Sequence, residues 1–75
     1  MESRIKQVMS QVLGVDASRI DDQTSPHTLK EWDSLQHVTL VLALQEEFGL
    51  EFSHDEVLAM MSFTGIRDTL KTRAK

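Results

Sequence analysis

The chain has 75 residues, 40% of them hydrophobic, and no cysteine, which allows one small core and excludes disulfides, Cys-ligated zinc, iron–sulfur clusters and a thiolate nucleophile of its own. The formal net charge is −4 and unevenly placed: residues 31–66 hold seven acids (Glu31, Asp33, Glu46, Glu47, Glu51, Asp55, Glu56) and no lysine or arginine, whereas residues 67–75 hold four bases against one acid. Such an acidic surface repels nucleic-acid phosphates and anionic lipids and attracts basic protein partners.

In residues 3–13, Ile5, Val8, Met9, Val12 and Leu13 recur at helical spacing, with Ser3 as a cap and Gly14 just beyond the end; this predicts a first helix. Residues 14–32 form a long loop rich in Asp, Ser, Thr and Gln, with the only proline at Pro26. A connection of that length needs a packing or functional reason, and Ile20, Leu29 and Trp32 are expected to pin it to the core. The second helix opens at Asp33, a good cap, with Gln36 three residues on completing a capping-box pattern, and runs through Phe48 to stop at Gly49.

Leu50, Glu51 and Phe52 alternate as an extended connection, and Ser53 or His54 starts a short third helix carrying Asp55, Glu56, Val57, Leu58 and Met61. Ser62 opens a fourth helix with Phe63, Ile66, Leu70 and Ala74 inward; Gly65 near its start is expected to cost about 1 kcal/mol relative to alanine. The predicted fold class is all-α: a small four-helix bundle, residues 1–75 as a single domain, with a long loop between helices 1 and 2 and a short third helix. No apolar stretch reaches membrane-spanning length, so no membrane insertion is expected. The opening Met1-Glu2-Ser3-Arg4-Ile5-Lys6-Gln7 lacks the form of a secretory signal, so the expected location is the cytoplasm.

Helix 2 is apolar over too wide an arc. At about 100° per residue, Leu40, Leu44 and Phe48 form one flank and Leu35, Val38 and Leu42 another, around roughly 220° in all, where a core-facing stripe needs little more than about 100°. Either the bundle surrounds this helix on most sides, or the second flank is a docking strip beside Ser34. Asp33 already fills the capping role, and a helix N-terminus accepts a phosphate group well. Ser34, His37 and Asp33 on one turn cannot supply an acid, a base and an oxyanion pocket together, so a hydrolase is not expected. His27, His37 and His54 lack metal-ligand spacing and read as surface residues. Met60, Met61 and Phe63 read as ordinary core or as an adaptable apolar interior.

Asp33-Ser34-Leu35, followed by Val38, Leu40, Val41, Ala43, Leu44, Glu46, Glu47 and Phe48, closely resembles the second helix of acyl carrier proteins, and the helix order, long loop and acidic middle extend the resemblance over nearly the whole chain. The resemblance implies that Ser34 receives 4′-phosphopantetheine from coenzyme A through a phosphopantetheinyl transferase. Acyl groups would ride on the arm's thiol as thioesters, and the protein itself would not be an enzyme. It also implies that Asp33 helps recognition by the transferase, that Leu35, Val38 and Leu42 meet partner enzymes, and that Glu46 and Glu47 pair with their basic docking patches. The alternative for the two glutamates is an ordinary solvated helix face.

Glu31 stands where many relatives have glycine, and Thr39 and Gln45 where fatty-acid carriers are often acidic. These departures imply a specialised stand-alone carrier, expected to be a monomer, serving a dedicated pathway of fatty-acid, polyketide or other secondary-metabolite biosynthesis rather than acting as the general fatty-acid carrier. Two other readings stay open: a carrier of aminoacyl groups of the peptidyl-carrier type, and an acidic helical interaction module with no prosthetic group.

Overall fold

The computed structural model describes residues 2–73 and contains four α-helices: α1 (Glu2–Leu13), α2 (Ser34–Phe48), α3 (His54–Ala59) and α4 (Phe63–Arg73). The all-α bundle is therefore as expected, with the long loop between α1 and α2 and with α3 the shortest helix. Among the described residues no helix is long and apolar enough to cross a membrane.

Ile5, Val8, Met9 and Leu13 give α1 one buried stripe, which packs along α2 and meets α4. Ser3 is not its cap. The helix begins a residue earlier, at Glu2, whose carboxylate suits the positive end of the helix dipole and lies 3.6 Å from Arg67.

The loop is pinned where expected: Ile20, Leu29 and Trp32 are buried, joined by Val15 and Thr24. A turn of 3₁₀ helix at Ala17–Arg19, too short to show as periodicity, is capped by Asp16, whose carboxylate accepts the Ser18 N–H at 2.9 Å. Thr24 earns its burial through hydrogen bonds. Its hydroxyl accepts the Asp21 N–H at 2.8 Å, and its carbonyl accepts the Phe63 N–H at 3.0 Å. The loop thereby satisfies one of the orphan amides at the start of α4.

Gly49 ends α2 in the left-handed region at φ 65°, where a side chain would be strained. Gln45 then holds the connection, its side-chain oxygen accepting the Phe52 N–H at 3.0 Å. Ser53 and Glu56 form a reciprocal capping box on α3. That helix stops at Ala59 because the Met60 N–H closes back on the Val57 carbonyl. Met60 is sealed in the core while Met61, expected within α3, lies beyond it and is partly exposed. Ser62 caps α4 through the Gly65 N–H at 2.9 Å, and Phe63, Ile66 and Leu70 point inward. Ala74 lies outside the described residues.

Glu56 accepts the Ser53 N–H at 2.8 Å and Arg73 at 2.7 Å. The backbone amide first, and then Arg73, hold its carboxyl below the usual glutamate range. With the folded-state pKa depressed, this contribution to stability is full above the unfolded-state value and is lost as pH falls through the folded one. Wild type should therefore melt slightly above Glu56→Gln at neutral pH, and the gap should close as pH drops below the ordinary glutamate range. Thermal melts across pH check this, and a gap that widens in acid would contradict it.

Candidate functional site

The loop delivers Asp33 to α2 in an extended conformation, with φ −105° and ψ −177°. Its carboxylate accepts the Gln36 N–H and its carbonyl accepts the His37 N–H, both at 2.8 Å. Gln36 contributes that backbone amide; no return bond from its side chain is found among the described residues, so the capping box is half formed. A charge-assisted cap from Asp33 is strong enough alone. Ser34 takes the first helical position and is exposed. The amides of Ser34 and Leu35 precede the first intrahelical bond, so the positive end of the helix dipole opens beside the Ser34 hydroxyl.

The two apolar flanks of α2 meet different fates. Leu40, Val41 and Leu44 are buried, whereas Leu35 is 76%, Val38 57% and Leu42 58% exposed. The bundle thus leaves the second flank open, directly beside Ser34. By the helical period of about 100° per residue, Glu46 falls at the edge of this strip, while Glu47 lies about 140° round from Leu42. Glu47 instead faces α1, where Arg4 donates to its Oε2 at 3.0 and 3.1 Å and stacks over the Phe48 ring. Ser34, Leu35, Val38, Leu42 and Glu46 therefore share one side of the helix; Glu47 does not join them, and Asp33 caps the helix end rather than lying on the strip. Thr39 is exposed and its hydroxyl turns back to the Leu35 carbonyl at 3.4 Å.

His37 is not a surface residue, contrary to the expectation from spacing. It is buried, with Nδ1 accepting the Trp32 Nε1–H at 3.0 Å and Nε2 within 3.0 Å of the Val57 carbonyl. Trp32 is sealed, so its indole N–H requires a partner, and the imidazole is that partner. The signal was on the helical wheel: His37 falls on the core side, between Leu44 and Val41. His27 and His54 are exposed as expected. Leu58 on α3, 59% exposed, adds an apolar residue that the sequence pattern did not single out.

Among the described residues no group of three or more His, Asp or Glu side chains is placed to hold a metal ion. A family model described as phosphopantetheine attachment site matches residues 3–71, a span that begins in α1 and ends in α4.

Proposed function

The chain belongs to the phosphopantetheine attachment site family, and on that premise we propose that Ser34 is the residue whose hydroxyl bears the prosthetic group. Members of this family are carriers that hold 4′-phosphopantetheine covalently. The observation that carries the assignment to Ser34 is its exposed side chain at the first position of α2, directly after a residue that already caps the helix.

These residues fit the group. The hydroxyl faces solvent, and the N-terminal amides of α2 favour the negative charge of a phosphodiester. Asp33 keeps its carboxylate on the Gln36 N–H, so the helix start stays ordered beside a second anion. When bound, the group supplies a thiol on which cargo is held as a thioester.

The chain's own residues tether, display and dock. Ser34 is the tether, and Asp33 orders the turn that displays it. Leu35, Val38 and Leu42 offer apolar area to partner enzymes, with Glu46 at the margin for a basic patch. Each exposed ion pair is worth only about 0–1 kcal/mol, so the acidic side mainly speeds and orients short encounters. In this reading Glu47 takes a smaller share in that docking, because Arg4 already engages it. In this reading the chain catalyses nothing. It shuttles acyl intermediates between cytoplasmic enzymes of a dedicated biosynthetic pathway.

The test is direct. Incubation of the apo-protein with coenzyme A and a broad-specificity phosphopantetheinyl transferase should add one phosphopantetheine by intact mass, and fragmentation should locate it on Ser34. An adduct on another residue, or none with several transferases, would overturn the assignment. Intact mass of the holo-protein from its native host would then distinguish acyl from aminoacyl cargo.

A further inference from the structure

Ser34 is bracketed from the inside by one buried hydrogen-bonded chain. Trp32 lies just before the Asp33 cap and His37 ends the first turn of α2. The 3.0 Å bond from Trp32 Nε1 to His37 Nδ1 therefore spans the site beneath its exposed surface. An indole N–H can only donate, so His37 Nδ1 is the acceptor and the ring proton sits on Nε2. Nε2 then donates to the Val57 carbonyl in α3, also at 3.0 Å. A single ring joins three segments: the end of the loop, the start of α2, and α3.

The third of these depends on polar ties. None of the residues of α3 is fully buried, so apolar packing holds it weakly. Its position is set by the bond from His37, the Glu56–Arg73 pair and the turn at Met60. We propose that His37 is a positioning residue for modification of Ser34, keeping the Trp32–Ser34 segment and α3 in one fixed relation to the first turn of α2. This rests on the reading of Ser34 as the attachment point.

The kinetic consequence follows from population. The carrier is the transferase's substrate, and loosening the two bonds lowers the fraction of molecules whose Ser34 segment is already in the competent arrangement. Apparent affinity falls by that fraction, while a molecule once bound reacts as before. A general loss of stability acts differently: well below the melting temperature nearly every molecule is still folded, and KM does not change.

The variant His37→Phe keeps a ring of similar size and removes both bonds. Its KM for the transferase should rise about tenfold, the size expected when one or two buried hydrogen bonds are lost, with kcat within about twofold of wild type. His37→Gln offers an oxygen for the indole N–H and an N–H for the Val57 carbonyl, and should restore KM to within about threefold. In hydrogen exchange, His37→Phe should speed the hydrogen-bonded amides of Trp32, Gln36, Glu56 and Val57 by about tenfold, leaving the α1 amides unchanged.

A folded His37→Phe protein with wild-type KM, or one whose exchange rises equally in all helices, would overturn the proposal. Should that variant not fold, Trp32→Phe, which deletes the N–H donor, carries the same KM comparison. If wild type is modified on Ser34 and KM ignores these changes, only the positioning role fails. If wild type is never modified there, the attachment assignment fails and this role falls with it.

Discussion

A Ser34→Ala protein should take up no phosphopantetheine, and its melting temperature should stay within about 3 °C of wild type, as for a surface substitution that breaks no packing or cap. The two halves of this result have separate causes. Modification needs an oxygen to form the ester bond, and alanine has none. Stability does not need that oxygen, because Asp33 and not Ser34 accepts the Gln36 N–H. Alanine is also the best helix former at such a position. Intact mass after transferase treatment, with circular dichroism melts, reads both halves at once. An adduct remaining on the alanine protein would move the attachment to another side chain, and a large drop in melting temperature would show that Ser34 supports the fold.

The largest effect on stability is expected from Gly65→Ala. Helix propensity alone predicts a gain of about 1 kcal/mol for this change. The structure reverses the sign. A Cβ on residue 65 would lie well inside van der Waals contact with the backbone carbonyl of Ala59, and 3.0 Å from the Ser62 hydroxyl oxygen. The carbonyl is held in the backbone of α3 and cannot rotate aside, so α3 and α4 must separate. That movement also disturbs the Gly65 N–H bond to Ser62, which caps α4.

Overpacking costs about 1–3 kcal/mol and a weakened cap about 1 more, which outweighs the propensity gain and leaves a net loss of about 2 kcal/mol. For a domain of this size the melting temperature should fall by about 10 °C. A melting temperature equal to or above wild type would show that the α3–α4 junction relaxes freely. The variant should still accept phosphopantetheine at temperatures where it is folded, because Asp33 keeps the start of α2 capped, with KM raised as far as the shift of α3 loosens the Val57 carbonyl's bond to His37.

What could be read from the chain alone was whatever repeats with a helical period or caps a helix end. The stripe of α1, the stop at Gly49 and the inward face of α4 as far as Leu70 all follow from local pattern. So does the burial of Ile20, Leu29 and Trp32, because a polar loop has few other uses for large apolar side chains. The open flank of α2 was legible as a surplus of apolar arc, and the flank beside Ser34, the candidate docking strip, is the one that stays exposed.

Other features depend on which elements the fold brings against one another. Glu47 is drawn toward α1 by Arg4, His37 is buried because Trp32 and the Val57 carbonyl supply partners, and Gly65 is required by the carbonyl of Ala59. The wheel places His37 on the core side, but no local pattern names these partners. The early end of α3 has a similar origin: six residues are too few for periodicity to define.

Trp32 is the only tryptophan and the chain has no tyrosine, so near-ultraviolet emission excited at long wavelength comes from one indole, two residues before Ser34 and bonded to His37. Any disturbance of the Trp32–His37 bond should therefore change that emission on unlabelled protein, with the native chain acting as its own optical gauge.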